Sequence, residues 1–288
     1  METAELLKKV RQVEIATKGV SKNIFAGEYQ SAFKGRGMAF SEVREYQPGD
    51  DVRAIDWKVT ARFSHPYIKV FEEERELTIM LLIDVSASES FGTRKQFKKD
   101  LVTEIAAVLA FSAIQNNDKI GVLFFSDQVE KFIPPKKGKK HVLRIIRELI
   151  EFEPVSKKTN IAQGVTYFTN MIKKHATAFV ISDFIDEDYE SALRFANSKH
   201  DLMAIKVYDK GELELPKAGL LQMVNQETGA KKWINTNSKK VRDEYAKQME
   251  DQRAYFKKAV GKCGIDMAEI ATDESYVKPL VTLFKKRS

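Results

Sequence analysis

The sequence contains one cysteine, Cys263, which excludes an intramolecular disulfide and any metal site built from several cysteines. A reducing compartment is therefore expected, and we predict a cytoplasmic location. The first ten residues are charged and amphipathic and lack the apolar segment of a signal peptide. The most apolar helical stretch, residues 105–114, is too short to cross a bilayer, so no membrane span is predicted.

Two phosphate-binding motifs are also missing. The Gly35-x-Gly37 pair has neither the third glycine nor the following helix of a dinucleotide fingerprint, and there is no Walker lysine motif. The 48 basic and 41 acidic residues leave a net charge of +7, which favours acidic partners only mildly. The lysine-rich stretch 136–141 has no aromatic neighbours, which indicates a solvated loop opening a helix rather than a nucleic-acid site.

From residue 77 onward, buried apolar runs alternate with helical patterns. The predicted strands are 77–83, 120–125, 176–181, 202–207 and 265–270, and the predicted helices are 95–115, 141–152, 160–174 and 238–261, followed by a short final helix. Strands separated by helices predict an α/β fold, a doubly wound, mostly parallel sheet with helices on both faces. We assign residues 77–288 to this domain, with a hairpin insertion near 215–236.

Residues 1–76 form a predicted N-terminal extension of different character. It contains a helix over about 2–17, a glycine-containing stretch at 31–40 and a strand at 67–71. A block at 44–62 interleaves opposite charges, which is compatible with a binding surface or with a structural network. We favour a network around Trp57 that clamps the extension onto the core domain, because arginine–carboxylate pairs fix chain geometry well. Its predicted pairs join Arg44, Arg53 and Arg62 to Asp50, Asp51 and Asp56.

Oxygen-bearing side chains follow two of the predicted strands. Asp84, Ser86 and Ser88 alternate directly after the strand 77–83, and Asp183 follows the strand 176–181. Thr159 precedes a helix in a loop expected at the same edge. Ligands bind at the carboxyl ends of strands in open α/β sheets, and an all-oxygen donor set suits Mg²⁺. The competing interpretation is that these residues are ordinary turn and cap residues, with Asn160 and Gln163 forming a helix cap.

This pattern resembles the metal-ion-dependent adhesion site of von Willebrand factor A domains. The resemblance covers about residues 77–210 and implies that Asp84, Ser86, Ser88, Thr159 and Asp183 hold Mg²⁺, with Mn²⁺ or Ca²⁺ as alternatives. A partner's acidic side chain would take the open position. Lys157 and Lys158 before the threonine, and Phe184 after the second aspartate, depart from the family pattern and imply weak metal affinity or a degenerate site. The same two lysines could instead meet the partner's carboxylate.

A narrower resemblance covers nearly the whole chain. The stretches 35–40 and 44–57, together with Ala61-Arg62 and Leu215-Pro216, are similar to the signature of bacterial "domain of unknown function 58" proteins. The resemblance implies partnership with a MoxR-type AAA+ ATPase, or with other von Willebrand A proteins, in complex assembly or chaperone-like maturation. Many such relatives carry N-terminal membrane helices, and none is predicted here.

Three functions follow as hypotheses. The first is a non-enzymatic adaptor that binds protein partners through the metal site. The second is an Mg²⁺-dependent phosphoryl-transfer enzyme that uses Asp84. The third is a basic nucleic-acid binder, for which the charge pattern provides little support.

Overall fold

The computed structural model describes residues 38–63, 65–73, 76–87, 97–224 and 229–287. These residues divide into two compact units, one ending at Leu77 and the other beginning at Thr78. We call them the N-terminal unit and the α/β unit. The predicted helix at 2–17 lies outside the described residues.

The N-terminal unit contains a two-stranded antiparallel sheet and a short helix. Strand β1 (Met38–Glu45) pairs with β2 (Tyr67–Glu73), and helix α1 (Trp57–Phe63) lies between them in the chain. The strand predicted at 67–71 is confirmed, whereas β1 and α1 were not predicted. The high charge of residues 44–62 obscured the short periodic pattern of α1.

The α/β unit is built on a six-stranded sheet. Its strands are β3 (Thr78–Asp84), β4 (Lys119–Phe125), β5 (Val129–Lys136), β6 (Thr177–Ser182), β7 (Asp201–Tyr208) and β10 (Asp266–Ala271). Their order is β10-β7-β6-β3-β4-β5, and every pair is parallel except β4 with β5. The mostly parallel α/β fold is thereby confirmed.

The helices of this unit lie between strands in the chain, except for the last one, which follows β10. They are α2 (Lys98–Gln115), α3 (Lys139–Glu151), α4 (Ile161–Met171), α5 (Glu190–Lys199), α6 (Lys239–Lys262) and α7 (Val277–Lys285). The predicted hairpin is present as β8 (Leu220–Val224) paired with β9 (Lys231–Asn235). None of the helices in the described part of the chain has the length and apolar character needed to cross a membrane.

Apolar side chains cover both faces of the sheet, as alternation along buried strands requires. On one face, Met80 and Leu82 join a buried cluster that includes residues of α4, α5 and α6. On the other face, Phe179 packs edge-on against Phe284 of α7, with their ring centroids 6.2 Å apart. The core is therefore two apolar layers separated by the sheet.

Two elements of the α/β unit were missed by sequence reasoning. Strand β5 is an antiparallel edge strand that contains Pro134 and Pro135, and prolines in a strand are tolerated mainly at edges. Helix α5 buries only Leu193 and Ala196, so its apolar pattern is too sparse to recognise.

The strand order places a topological switch point next to β3. The chain proceeds from β3 to β4 and β5 on one side of the sheet, and then continues with β6, β7 and β10 on the other side. The crevice between the carboxyl ends of β3 and β6 is the position where α/β sheets usually bind ligands.

Candidate functional site

Asp84 is the last residue of β3 and is buried at the switch point. Its Oδ1 atom accepts a 2.9 Å hydrogen bond from the amide of Ser86, which forms a tight turn immediately after the strand. Its Oδ2 atom accepts a 2.7 Å hydrogen bond from the hydroxyl of Ser182. Ser86 is buried as well, so both residues face the interior of the crevice rather than bulk water.

Ser182 is the last residue of the neighbouring strand β6, and Asp183 is the first residue of the turn that follows it. The Ser182 hydroxyl also accepts a 2.9 Å hydrogen bond from the amide of Phe184. Phe184 is buried and has a φ angle of 52°, in the left-handed region that non-glycine residues rarely adopt. The bond from its amide to Ser182 therefore helps to hold a sharp turn that keeps Asp183 at the sheet edge.

The carboxylates of Asp84 and Asp183 influence one another. Burial, and after it the negative charge of Asp183, raises the pKa of Asp84 to about 7, although hydrogen bonds from Ser86 and Ser182 act in the opposite direction. Two buried carboxylates at one sheet edge repel one another when both are ionised. A cation placed between them would relieve that repulsion.

Asp183 already has a cationic partner within the protein. The Nζ atom of Lys98, the first residue of α2, lies 2.9 Å from Oδ2 of Asp183 and 2.9 Å from Oε1 of Glu212. The Oδ1 atom of Asp183 accepts a 3.2 Å hydrogen bond from the amide of Ile185. A second buried lysine, Lys206 of β7, donates a hydrogen bond from Nζ to the backbone carbonyl of Asp183.

Asp84 has no such partner in the described part of the chain. The groups that affect its pKa are the Asp183 charge and the Ser86 and Ser182 hydrogen bonds, and no ammonium or guanidinium group pairs with it. Among the described residues the site is thus asymmetric, because Lys98 pairs with Asp183 whereas Asp84 is hydrogen-bonded by neutral donors.

The loop that carries Thr159 lies beside the loop after β3. The amide of Ala87 donates a 3.2 Å hydrogen bond to the carbonyl of Lys157, two residues before Thr159. Glu130 of β5 orders this loop by accepting hydrogen bonds from the amides of Val155 and Ser156, at 3.1 and 3.0 Å. Thr159 itself is half-buried.

Ser88, the remaining predicted ligand, lies outside the described residues. The structure therefore brings together Asp84, Ser86 and Asp183 and places the Thr159 loop next to them. The predicted cap is also present, because the Asn160 side chain accepts a 2.8 Å hydrogen bond from the Gln163 amide at the start of α4. Lys157 and Lys158 are both exposed.

The donors present fit a hard divalent cation in chemical type, since they are carboxylate and hydroxyl oxygens. Within the described ranges, no group of three or more histidine, cysteine, aspartate or glutamate side chains is arranged to hold a metal ion. The predicted ligand set would not form such a group, because only two of its members, Asp84 and Asp183, are of these residue types. Mg²⁺ commonly binds through one or two carboxylates and retains several waters.

A cavity of about 280 Å³ opens next to the site. Asp84 and Ser86 form part of its wall, and most of the remainder is apolar, with Val102, Leu149 and Phe152 among the lining residues. The buried carboxylate of Asp84 thus lies at the wall of a cavity.

Sequence reasoning missed the two lysines, although the pattern contained a signal for each. Lys98 precedes Leu101, Val102 and Ile105 at helical spacing, which places it on the buried face of α2. Lys206 interrupts the apolar run 202–207 of a buried strand. A lysine at a core position requires a partner, and in this protein both lysines contact Asp183.

The charged block of the N-terminal unit forms a smaller network than predicted. Arg44 and Asp50 make two hydrogen bonds, of 2.9 and 2.7 Å, as expected for a bidentate pair. The other predicted pairs are wrong, because Arg53 and Arg62 have exposed side chains without an ion pair in the described part of the chain. Trp57 is 68% exposed, so it is not the centre of the network. The role of the block as a clamp onto the core domain stays a prediction.

In the α/β unit, residues 136–140 are exposed, as predicted, but the loop itself is short, because Lys136 ends β5 and α3 begins at Lys139. The Gly138 residue that precedes α3 has a φ angle of 99°, a conformation that glycine adopts readily.

The chain belongs to the family described as protein of unknown function DUF58, whose model matches residues 42–255. It is 28% identical over 286 residues to the Mycobacterium tuberculosis protein Rv1480, covering 98% of this chain and 90% of the relative. It is also 31% identical over 109 residues to YeaD of Bacillus subtilis, covering 38% of this chain and 25% of YeaD.

Solved structures with a similar arrangement include BatB of Bacteroides thetaiotaomicron, at 14% identity and a TM-score of 0.45, covering 73% of this chain and 98% of BatB. Another is the von Willebrand A domain of SpRpn10, at 12% identity and a TM-score of 0.36, covering 74% of this chain and 95% of that domain.

Proposed function

We propose that this protein is a non-enzymatic adaptor that binds an acidic side chain of a protein partner through a divalent cation, with Mg²⁺ as the first candidate. Asp84, Ser86, Ser88, Thr159 and Asp183 are the proposed ligands, contributing directly or through water. The bound cation would supply an oriented positive charge whose coordination is completed by the partner's carboxylate.

The observation that carries this proposal is the state of Asp84. Asp84 is a buried carboxylate that has no cationic partner among the described residues, which is a costly arrangement, and burial raises its pKa. Ser182 and Ser86 supply only neutral hydrogen bonds, and each leaves further lone pairs of the carboxylate available. A divalent cation at this position would remove the electrostatic cost and would use those lone pairs.

The partner is proposed to be a MoxR-type AAA+ ATPase, another von Willebrand A protein, or a client that they share, met in the cytoplasm. This part of the proposal comes from the similarity of the 35–57 signature to its family. The metal-site hypothesis requires only that the partner presents an accessible aspartate or glutamate.

An affinity pulldown from the native cell, with Mg²⁺ or with EDTA in the buffer, tests the proposal. We expect partners that are retained by the wild-type protein in Mg²⁺, released by EDTA and lost with Asp84→Ala. Mass spectrometry identifies them. Binding that survives both EDTA and Asp84→Ala would contradict the proposal.

Asp127→Ala is the matched control. Asp127 follows β4 at the same edge of the sheet but lies outside the proposed ligand set. Asp127→Ala and Asp84→Ala change the net charge of the protein by the same amount. If only Asp84→Ala loses partner binding, the loss is therefore not an effect of net charge. The phosphoryl-transfer alternative predicts a different result, hydrolysis of p-nitrophenyl phosphate that disappears in Asp84→Ala.

A further inference from the structure

Lys98 is a fully buried lysine at the proposed metal site, with a side-chain exposure of 0%. Taking an ammonium group out of water costs several kcal/mol unless it is paired and hydrogen-bonded. Its contacts with Asp183 and Glu212, both at 2.9 Å, provide that compensation. Lys98 is therefore a fixed positive charge next to the position where a divalent cation would bind.

The position of Glu212 is itself well defined. Glu212 lies in a short 3₁₀ helix, Lys210–Glu212, and its Oε2 atom accepts a 3.2 Å hydrogen bond from the amide of Asp209. Asp209 in turn accepts a hydrogen bond of 2.6 Å from Thr272. Lys98 is thus held between two carboxylates that are both anchored by the backbone or by a further side chain.

The net charge of the site follows from these contacts. Among the described residues, the three carboxylates of Asp84, Asp183 and Glu212 and the two ammonium groups of Lys98 and Lys206 together carry one negative charge when all five are ionised. A divalent cation would change this to one positive charge. A single carboxylate from a partner would then make the site neutral.

Without Lys98 the same count would be two negative charges, which a divalent cation alone would neutralise. Charge interactions in a buried site are screened much less than in water, so one additional unit charge has a large effect on cation affinity. Lys98 therefore opposes binding of the cation alone and favours binding of the cation together with an acidic ligand.

We infer that Lys98 couples the two binding events, so that the site holds its divalent cation tightly only when a partner's carboxylate is present. This inference rests on the proposed function and names a residue outside the proposed ligand set that would regulate it.

A series of variants with graded site charge tests the inference. Isothermal titration calorimetry with MgCl₂, at about pH 8 so that Asp84 is ionised, measures the affinity for the cation alone in each variant. Lys98→Met makes the site more negative by one charge and Glu212→Gln makes it less negative by one. The double variant Lys98→Met/Glu212→Gln restores the wild-type charge and serves as the matched control.

We expect Lys98→Met to bind Mg²⁺ about tenfold more tightly than the wild type, and Glu212→Gln about tenfold more weakly. The double variant should return to approximately the wild-type affinity. Circular dichroism verifies the folding of each variant. If Lys98→Met does not fold, Glu212→Gln provides the test, because the amide preserves the shape of the side chain. An unchanged Mg²⁺ affinity in Glu212→Gln would overturn the inference.

Asp84→Ala separates this inference from the proposed function. Mg²⁺ binding that is lost in Asp84→Ala but is equal in all charge variants would leave the metal site in place and overturn the role of Lys98. Mg²⁺ binding that persists in Asp84→Ala, or that is undetectable in both the wild type and Lys98→Met, would overturn both. Added sodium acetate should strengthen Mg²⁺ binding in the wild type more than in Lys98→Met.

Discussion

The hydroxyl of Ser182 donates a 2.7 Å hydrogen bond to Oδ2 of Asp84, joining the carboxyl ends of β6 and β3. The two residues are 98 positions apart in the chain. The same hydroxyl accepts from the amide of Phe184, so one small side chain supports both the buried carboxylate and the strained turn after β6.

Ser182→Ala is therefore expected to destabilise the protein. It would leave an acceptor on Asp84 and the amide of Phe184 without their partner, and an unsatisfied buried polar group costs about 1–3 kcal/mol. Thermal unfolding followed by circular dichroism measures the effect. Ser198→Ala is the control, since Ser198 is exposed and its hydroxyl donates a hydrogen bond to the carbonyl of Phe195, one turn earlier in the same helix. Equal melting temperatures for the two variants would contradict the importance of the Ser182 bond.

His200 is expected to make stability depend on pH. Its ring is buried against Phe168, with ring centroids 4.6 Å apart, and neither ring nitrogen has a hydrogen-bond partner in the described part of the chain. Burial, followed by the positive charges of His175 and Lys199, lowers the pKa of His200. The unfolded chain therefore binds more protons below about pH 6.5, and stability falls as the pH decreases through that window.

Replacing the imidazole by a ring that does not titrate should remove this contribution. We expect His200→Phe to lose less stability than the wild type between about pH 6.5 and pH 5, as measured by urea unfolding at several pH values. His65→Phe is the control, because His65 is exposed in the N-terminal unit. A pH dependence of His200→Phe identical to that of the wild type would show that His200 is not responsible.

Gly164 in α4 is packed directly against β4. A Cβ atom at this position would lie 2.7 Å from Cγ of the buried Phe125 ring, closer than side chains tolerate. Overpacking of this kind costs about 1–3 kcal/mol, whereas alanine gains about 1 kcal/mol of helix propensity over glycine. We expect Gly164→Ala to lower the melting temperature.

Gly261 in α6 provides the matched control for Gly164. An added Cβ at Gly261 would meet nothing within 4 Å, so only the propensity gain applies and Gly261→Ala should be neutral or stabilising. If Gly164→Ala were as stable as Gly261→Ala, the close packing of α4 against Phe125 would be disproved.

Arg44 is expected to order the loop that follows β1. Its guanidinium binds both carboxylate oxygens of Asp50, and the amide of Gln47 donates to Oδ2 of the same residue at 2.8 Å. The hydrogen bonds from Arg44, and then from Gln47, hold the pKa of Asp50 below its usual range. Arg44→Ala should increase hydrogen exchange at residues 46–56, measured by mass spectrometry. Arg53→Ala, which removes an exposed side chain, should have a much smaller effect.

Several features of the α/β unit were predictable because they depend on local pattern. The buried strand before Asp84 and the strand before Asp183 are short apolar runs, and parallel strands that alternate with helices bring their carboxyl ends to one edge. Strand β5 and helix α5 were not predictable, since prolines and a sparse apolar pattern weaken the local signal. The Arg44–Asp50 pair was anticipated, but the opposite charges in the same block did not indicate which of the other arginines would stay exposed.

The sequence by itself determined the α/β class and predicted oxygen-bearing side chains at one edge of the sheet, because strand periodicity and residue type are properties of short segments. Only the tertiary structure decided that Lys98 contacts Asp183 and Glu212, while the hydrogen bonds that Asp84 receives from the described residues come from neutral groups of Ser86 and Ser182. These contacts join residues far apart in the chain, and their formation depends on strand order and helix packing. Local sequence pattern does not specify that long-range geometry, and the electrostatics of the site follow from it.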